Sequence, residues 1–302
     1  MLNCNAHDTI LCISEAGVAY ALPAYKVPQT SRTSRGVLIH QLLPIEAQET
    51  IATVLPVSEF SDDTFLVLLT KQGWIKKTPL KAFERITARG LIAQSMKDGD
   101  QLVKASLCSA DDSVLMCSAL GQAMRFEASN EQLRATGRQS TGVKSMAMRE
   151  GDEVADFFIV PAAEGKGGDD VEDAIDGQQL VAVTRGGYGK RMRTSNFRCQ
   201  RRGGKGVIAI KFKGKDDRLM GVLPIGDDED ELLLITEQGT IVRQKLAAVA
   251  EQSRAATGVR LQKLDIGDLV ASVAIVEPEE EGLEDDEDED EDEEEVGEVE
   301  AE

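Results

Sequence analysis

Positively charged side chains are concentrated in one part of the 302-residue chain, between residues 178 and 225. This stretch contains twelve Lys or Arg residues and two acidic ones, whereas the whole chain carries a net charge of −20. Its densest group is the segment Gln200-Arg-Arg-Gly-Gly-Lys-Gly206, which Arg198 precedes. Arginine offers forked donors, lysine a compact charge, and glycine lets the backbone approach a ligand closely. Such a segment is suited to binding phosphate groups.

This basic segment is one loop of an internal repeat that occurs five times. Each copy begins with a short apolar run that ends at a first glycine, and a basic loop then ends at a second glycine. The first glycines are Gly17, Gly73, Gly121, Gly187 and Gly239, and the second glycines are Gly36, Gly90, Gly142, Gly206 and Gly258. The two glycines of a copy are 17 to 21 residues apart, so the register is closely kept.

The apolar runs predict strands rather than helices, because they are short, rich in Val, Ile and Leu, and bounded by glycine turns. The first glycine stands where a hairpin needs positive φ. An acidic turn before a last apolar run, as at Asp100, Asp152 and Asp268, completes four strands per copy. We therefore expect an all-β, propeller-like array of five four-stranded blades, in which each blade covers its neighbour's apolar face.

The predicted domain and its interruptions follow from the repeat and the charge. The β-domain spans residues 1–276, with repeats at about 7–60, 61–110, 111–160, 178–225 and 226–276. Residues 161–177, with six acids and one Lys, predict an exposed acidic loop. Residues 277–302 contain 19 Asp or Glu and no Lys or Arg, so we expect a disordered acidic tail. Without that tail the chain is nearly neutral.

Several functional classes find no support in the sequence. No apolar run approaches the roughly 20 residues of a membrane helix, and no signal peptide is visible, so we expect a soluble protein without a membrane partner. The five cysteines contain no Cys-x-x-Cys and only two histidines accompany them, so we assign no metal site. Cys12 and Cys117 lie in apolar runs and are expected to be buried. No catalytic arrangement is visible, and no catalytic residue is assigned.

Weaker basic groups recur in the equivalent loops of the other copies. Because the repeats follow one another in space as in sequence, these loops should align in one basic rim. Such a rim suits a long polyanion, and the scarcity of aromatics favours duplex DNA over single strands. The predicted DNA-binding residues are Arg32, Arg35, Lys76, Lys77, Arg85, Arg89, Arg138, Lys190, Arg191, Arg193, Arg198, Gln200, Arg201, Arg202, Gly203, Gly204, Lys205, Gly206, Arg243 and Arg254.

The segment Gln200–Gly206 resembles the signature box of the DNA gyrase A C-terminal domain, and the repeats resemble that domain over residues 7–276. Further agreement lies in His7-Asp-Thr-Ile-Leu-Cys12, Ser31-Arg-Thr-Ser-Arg-Gly36, Gly73-Trp-Ile-Lys-Lys-Thr78, Gly187-Tyr-Gly-Lys-Arg191 and Gln238-Gly-Thr-Ile-Val-Arg243. The resemblance implies a β-pinwheel whose blades exchange strands and which wraps duplex DNA. Wrapping would then make ATP-driven strand passage directional, so that it introduces negative supercoils. In that family the box also joins one blade to another, which would give Gln200 a structural role.

The resemblance also implies partners and a location: the gyrase A cleavage domain, the gyrase B protein, and the bacterial cytoplasm at the nucleoid or an organellar stroma or matrix. ATP and Mg²⁺ would belong to other parts of the holoenzyme, and this chain is expected to hold no cofactor and to be no enzyme alone. Tyr20, Tyr25 and Tyr188 lie inside repeats and are not assigned as nucleophiles.

Two departures from the family pattern leave alternatives open. The box stands in the fourth copy rather than in the first blade, and the chain begins where a second blade would lie, so we expect a fragment or a separately encoded wrapping module. A closed disc and an open spiral are both compatible with five copies. The alternatives in function are the corresponding C-terminal domain of topoisomerase IV, whose box is degenerate, and a β-propeller that binds an acidic protein.

Overall fold

The computed structural model describes residues 2–31, 34–46, 48–87, 89–162, 178–226 and 230–276. In chain order its strands are β1 (Thr9–Ser14), β2 (Val18–Pro23), β3 (Ile51–Val57), β4 (Phe65–Thr70), β5 (Trp74–Pro79), β6 (Leu91–Ile92), β7 (Leu102–Cys108), β8 (Ser113–Ser118), β9 (Gln122–Glu127), β10 (Val143–Lys144), β11 (Val154–Val160), β12 (Gln179–Thr184), β13 (Tyr188–Arg193), β14 (Val207–Ile208), β15 (Leu219–Pro224), β16 (Glu231–Thr236), β17 (Ile241–Lys245), β18 (Val259–Arg260) and β19 (Val270–Val276). The helical elements are α1 (Ile39–Leu42) and the 3-10 turns Ala24–Lys26, Leu80–Phe83, Thr194–Asn196 and Leu246–Ala248. The all-β fold is confirmed. Most of the predicted acidic loop, residues 163–177, and the predicted acidic tail lie outside the described residues.

The strands form five antiparallel sheets, and these are the blades of the array. From the inner edge outward their strand orders are β3-β1-β2-β6, β7-β4-β5-β10, β11-β8-β9-β14, β15-β12-β13-β18 and β19-β16-β17. In the first four blades the outermost strand has two residues and comes from the following copy, as where Ile92 pairs with Val18. The fifth blade has three strands among the described residues.

Strand exchange between blades, which the family resemblance implied, is therefore confirmed. The simpler expectation that the four strands of one copy form one blade is corrected. Each of copies 2 to 5 gives three long strands to its own blade and one short strand to the preceding blade. The short strand follows the second glycine directly, so the basic loop is the segment that carries the chain across to the neighbouring blade.

The hairpin turn that contains the first glycine has the same construction in all five copies. The first glycine has a φ between 76° and 86°, a region that favours glycine. A hydroxyl three residues earlier accepts a hydrogen bond from the amide of the residue after the glycine, as from Trp74 N to Thr70 Oγ1 at 3.0 Å. Ser14, Ser118, Thr184 and Thr236 do the same in the other copies. The first residue of the second strand is thereby fixed in place.

The acidic turns support the same hairpins from the neighbouring inner strand. Asp100 Oδ1 accepts a hydrogen bond from Gln72 N at 3.0 Å, and Asp152 Oδ1 accepts one from Leu120 N at 2.9 Å. Asp217 and Asp268 accept equivalent bonds in blades 4 and 5. A buried carboxylate that accepts backbone amides satisfies donors that a tight turn leaves unpaired. The acidic turn is therefore a structural part of blades 2 to 5.

The apolar core lies between successive blades. Leu66 and Leu68 on β4 pack into the cluster shared with blade 1, whereas Val67 and Leu69 pack into the cluster shared with blade 3. All four side chains are fully buried, and burial of one such side chain contributes roughly 1.5–3 kcal/mol. Because successive side chains of a strand point to opposite faces, the first strand of a blade joins two cores. Its continuous apolar run reflects burial on both faces.

The inner strands surround a central channel. Leu102 N donates to Glu15 O at 2.8 Å and Val154 N donates to Lys71 O at 2.9 Å, so each inner strand is bonded to the hairpin of the blade before it. Leu219 and Val270 repeat this contact farther along the chain. The channel has a volume of about 640 Å³ and is lined by residues of all five blades. The second strands and their exchanged partners consequently lie toward the outer edge of the array.

Candidate nucleic-acid interface

The basic loops run along the second strand of the preceding blade. Parallel bridges join Lys77 to Ala135, Arg125 to Cys199 and Arg191 to Glu251, and these are equivalent contacts in three successive pairs of copies. The loops of copies 3, 4 and 5 therefore occupy equivalent positions on the outer edge.

An arginine four residues before the second glycine fastens each of these three loops to the preceding copy. Arg138 Nη1 donates to Ala82 O at 3.0 Å, Arg202 Nε donates to Gln132 O at 2.7 Å, and Arg254 Nη1 donates to Ile208 O at 3.1 Å. Arg202 Nη1 also donates to Lys144 O. All three arginines are half-buried. They were predicted as phosphate ligands, and the structure gives part of each guanidinium a role in joining copies.

The backbone of the segment Gln200–Gly206 is bonded to copy 3 at several points. Gln200 N donates to Arg125 O at 2.8 Å, and Gly203 N donates to Ser145 O at 2.7 Å. Gly204 O accepts from Ala147 N at 2.8 Å. Gly206 has a φ of 70°, and a Cβ on it would stand 2.6 Å from Ala123 O. This glycine lets the loop pass close against β9 before it enters the short exchanged strand.

Three predicted phosphate ligands lie in the interior instead of on the rim, and that part of the prediction is corrected. Lys76, Lys77 and Lys190 have exposed fractions of 1%, 0% and 0%. The ammonium of Lys76 donates to Ala93 O at 2.8 Å, Gly137 O at 2.8 Å and Arg138 O at 2.7 Å. That of Lys190 donates to Ser253 O at 2.9 Å, Arg254 O at 2.6 Å and Ala256 O at 2.9 Å, and that of Lys77 donates to Ala128 O.

The buried lysines fix the shape of the basic loop that crosses them. Lys76 and Lys190 both stand three residues after a first glycine, and each inserts beneath the loop of the next copy. Burial lowers the pKa of both ammonium groups to about 8, with the nearby charge of Arg254 adding to the effect at Lys190. Burial also lowers the pKa of Lys77. Backbone carbonyl oxygens supply the partners that a buried charge requires.

The remaining predicted cations divide into exposed groups without a carboxylate and groups that already have a partner. Within the described ranges, no carboxylate pairs with the exposed side chains of Arg35, Arg85, Arg89, Arg198, Arg201 and Lys205. Arg193 pairs with Glu251 at 2.9 Å, and Arg243 pairs with Glu231. Arg191 is half-buried and donates to Val249 O at 2.8 Å. Arg32 lies outside the described residues.

The sequence reasoning missed four exposed cations that lie near these loops: Lys97, Lys144, Lys213 and Arg260. They stand beside the aromatic rings of Trp74 and Tyr188. Their spacing from the second glycines was a signal that could have found them, since Lys144 and Arg260 both stand two residues after one, and Lys97 and Lys213 both stand seven residues after one.

Metal-binding groups and membrane-spanning helices are two further features that bear on function. The described ranges bring together no group of three His, Cys, Asp or Glu side chains that could hold a metal ion. In the same ranges, no helix has the length and apolar character needed to cross a membrane. Cys12 and Cys117 are buried, as predicted, and burial raises the pKa of the Cys12 thiol to about 11.

Comparison with known proteins places these features in a family. Residues 8–58, 64–109, 112–161, 178–225 and 230–277 match the profile described as "DNA gyrase C-terminal domain, beta-propeller". The chain is 46% identical to the gyrase A protein of Synechocystis sp. over 92% of its own length and 34% of that protein. It is 37% identical to the gyrase A protein of Mycolicibacterium smegmatis over 93% of its own length and 32% of that protein. The chain thus spans about a third of the length of the curated relatives that it matches.

Solved structures agree with the fold. The C-terminal domain of DNA topoisomerase IV superimposes with a TM-score of 0.78 at 24% identity, over 92% of this chain and 81% of that one. A DNA gyrase A C-terminal domain superimposes with a TM-score of 0.72 at 26% identity, over 90% of this chain and 83% of that one. By its sequence, the repeats and the strand-exchanged blades, the chain belongs to the DNA gyrase C-terminal domain, beta-propeller family.

Proposed function

We propose that this chain binds duplex DNA along the outer edge of its blades and wraps it, as a noncatalytic module of a DNA gyrase. The observation that carries the proposal is the loop of copy 4. Its exposed cations Arg198, Arg201 and Lys205 have no carboxylate partner in the described ranges, while its backbone is bonded firmly to copy 3. A loop whose backbone is already held in place loses little backbone freedom when it meets phosphate.

Wrapping requires contacts from several blades, because bending 20–30 base pairs of DNA by 40–90° costs on the order of 1–6 kcal/mol. Arg35, Arg85 and Arg89 offer further exposed cations in copies 1 and 2. Each phosphate that they neutralise releases condensed counterions and adds affinity that is independent of sequence. A chain of this kind can therefore offset the cost of bending by many modest contacts.

The wider role follows from the relatives, which are gyrase A proteins. In the proposed holoenzyme the partners are the gyrase A cleavage domain and the gyrase B protein, and ATP and Mg²⁺ are bound there. DNA wrapped in one sense would give each ATP-driven strand passage a fixed direction, toward negative supercoils. The expected location is the cytoplasm, at the nucleoid.

The test of DNA binding is the double substitution Arg201→Ala with Lys205→Ala. Because each lost phosphate contact removes about one unit from the slope of log K against log salt, we expect a slope shallower by about 2 and weaker binding at low salt. The measurement is fluorescence anisotropy of a labelled duplex at several salt concentrations. The matched control is Lys26→Ala with Lys81→Ala, which removes the same formal charge from the 3-10 turns that follow β2 and β5, where Lys81 is paired with Glu84. Equal slopes for the two double variants would contradict the assignment.

A second candidate is the topoisomerase IV type of domain, a solved example of which shares this fold with a TM-score of 0.78. The complete segment Gln200–Gly206 favours the gyrase type, since the box of the alternative is degenerate. Closing a nicked circular DNA with ligase in the presence of the chain separates the two. Wrapping leaves a change in linking number after the protein is removed, whereas binding without wrapping leaves none. Failure of the chain to bind duplex DNA at all would favour a propeller that binds an acidic protein.

A further inference from the structure

Two blades carry an aromatic side chain with two cations beside its ring. In blade 2, Lys97 Nζ lies 3.6 Å and Lys144 Nζ lies 4.5 Å from the centre of the Trp74 ring. In blade 4, Lys213 Nζ lies 5.3 Å and Arg260 Cζ lies 5.6 Å from the centre of the Tyr188 ring. We call these groups the Trp74 cluster (Trp74, Lys97, Lys144) and the Tyr188 cluster (Tyr188, Lys213, Arg260).

The two clusters are built from equivalent positions of the repeat. The aromatic residue follows the first glycine of its copy. One cation stands seven residues after the second glycine of the same copy, and the other stands two residues after the second glycine of the next copy. The second cation reaches the ring through strand exchange, since Lys144 pairs with Trp74 and Arg260 pairs with Tyr188 across β-strands. The same arrangement thus arises twice from residues far apart in sequence.

Blades 1 and 3 lack the full combination. The three positions hold Val18, Leu43 and Ile92 in blade 1, and Gln122, Arg149 and Ile208 in blade 3. Among these four blades, the pair of cations therefore occurs only where the aromatic ring is present. Cations placed only for solubility would not need to coincide with an aromatic residue in this way.

The cations of both clusters are exposed and lack negative partners. Among the described residues none of the four pairs with a carboxylate. Lys144 Nζ donates to Gln72 O at 2.8 Å and Arg260 Nη2 donates to the Tyr188 hydroxyl at 3.0 Å, contacts that orient the cations. The face of an aromatic ring attracts a cation but does not neutralise it. Each cluster is therefore an oriented pair of positive charges without a counter-anion.

Both clusters adjoin the basic loops on the outer edge. Lys144 and Arg260 stand just beyond the loops of copies 3 and 5, in the exchanged strands β10 and β18. The carbonyl oxygen of Lys144 accepts a hydrogen bond from Arg202, so the Trp74 cluster touches the segment Gln200–Gly206 directly. A polyanion that follows the loops from copy 4 toward copy 2 would therefore pass over the Trp74 cluster.

We propose that the Trp74 and Tyr188 clusters are two further binding sites for backbone phosphates of duplex DNA. The ring holds two cations close together at one end of the exchanged strand, where they contact a phosphate in addition to those bound by the loops. The inference rests on the proposed DNA-binding function and adds two sites to it, in alternate blades.

The first test compares three double variants of the whole chain: Lys97→Gln with Lys144→Gln, Lys213→Gln with Arg260→Gln, and the control Lys26→Gln with Lys81→Gln. All three lose two positive charges. We expect each cluster variant to reduce the slope of log K against log salt by about 1–2 and the control to leave it unchanged. Thermal unfolding of every variant is measured alongside, and the two clusters serve as independent replicates if one pair affects folding.

The second test uses the fluorescence of Trp74, which is the single tryptophan of the chain. Phosphate that draws Lys97 and Lys144 from the ring should change the tryptophan emission, with the same dissociation constant as that found by anisotropy of a labelled duplex. The emission change should be lost in the Lys97→Gln with Lys144→Gln variant. A chain that binds duplex normally, yet shows no emission change and keeps its salt slope in both cluster variants, would overturn this inference and leave the proposed function intact. Absence of duplex binding in the unsubstituted chain would overturn both.

Discussion

Lysine has two different roles in this chain, one in the interior at Lys76 and Lys190 and one on the surface at Lys205. Lys76 and Lys190 are buried beneath the loop of the next copy and donate to its carbonyl oxygens, whereas Lys205 is exposed within the segment Gln200–Gly206. The buried ammonium groups present no charge at the proposed DNA-binding surface. They determine instead where the backbone at Arg138 and Arg254 lies, and through it where the loop cations are presented.

We expect Lys76→Met with Lys190→Met to destabilise the fold. Each substitution removes an ammonium group that donates to several carbonyl oxygens, among them Arg138 O for Lys76 and Arg254 O for Lys190, and one unsatisfied buried polar group costs about 1–3 kcal/mol. The free energy of unfolding, measured in urea, should fall by at least that amount. Lys81→Met is the control, because an exposed substitution of this kind changes stability by about 0.5 kcal/mol or less.

The same pair of variants tests the lowered pKa of the two lysines. Their pKa is about 8 in the folded chain, against an ordinary value of 10.5, so the unfolded chain binds more protons between these values. The stability of the unsubstituted chain should therefore rise relative to the double Met variant as the pH increases from 8 to 10.5, by several kcal/mol for the two lysines together, since one pKa unit corresponds to about 1.4 kcal/mol. Below pH 8 the difference should be constant. A constant difference throughout would mean that the carbonyl oxygens fully compensate for burial of the charge.

The basic loop is the element that joins the blades. It leaves the second strand of one blade, passes along the second strand of the preceding blade and ends there as an exchanged strand. In copy 4 this course places Gly206 against the backbone of β9, and Arg202 against carbonyl oxygens of copy 3. The segment Gln200–Gly206 is thus both a joint between copies and the support of the exposed Arg201 and Lys205.

Gly203 and Gly206 allow the joint to be tested by a matched pair of substitutions. Both have positive φ, at 85° and 70°, so Ala at either position costs about 1–2 kcal/mol of backbone strain. A Cβ at Gly203 meets nothing within 4 Å, whereas one at Gly206 stands 2.6 Å from Ala123 O. Gly206→Ala should therefore reduce the free energy of unfolding clearly more than Gly203→Ala, in urea denaturation of both. Equal losses would show that the loop does not depend on its close contact with β9.

Charge is distributed unevenly over the whole molecule. The stretch 178–225 holds twelve bases and two acids, whereas residues 277–302 hold 19 acids and no base. The acidic stretch lies outside the described residues, so its role is a prediction from the sequence. A polyanion tethered to a cationic edge competes with DNA at a high effective concentration.

Deletion of residues 277–302 should consequently tighten duplex binding, most at low salt, where screening is weakest. The measurement is anisotropy of a labelled duplex at two salt concentrations. A variant that carries a Gly/Ser segment of equal length in place of the acidic stretch controls for chain length and should behave like the deletion. Equal duplex affinities with and without residues 277–302 at low salt would indicate that the acidic stretch only keeps the chain soluble.

The sequence determined the strands, the hairpins and the number of copies, because these depend on local patterns. An apolar run buried on both faces, a Ser or Thr three residues before glycine, and an acidic turn are all visible within a few residues. Local patterns did not predict which blade the short strand after the second glycine joins. The residues alone did not show whether it stays in its own blade, and only the family resemblance implied the exchange that the sheet topology then showed.

Only the tertiary structure decided which cations are available to a ligand. Lys76 and Lys205 both lie in basic segments next to glycines, and both were predicted from the sequence to belong to the DNA-binding rim. Lys76 is buried because the loop of the next copy, some 60 residues later, covers it with carbonyl oxygens. Lys144 likewise comes to lie over Trp74 only because strand exchange carries it there. Burial and contact of these side chains depend on segments that are far apart in sequence and are brought together by folding. The sequence therefore shows where the charged residues are, and only the tertiary structure shows which of them a ligand can reach.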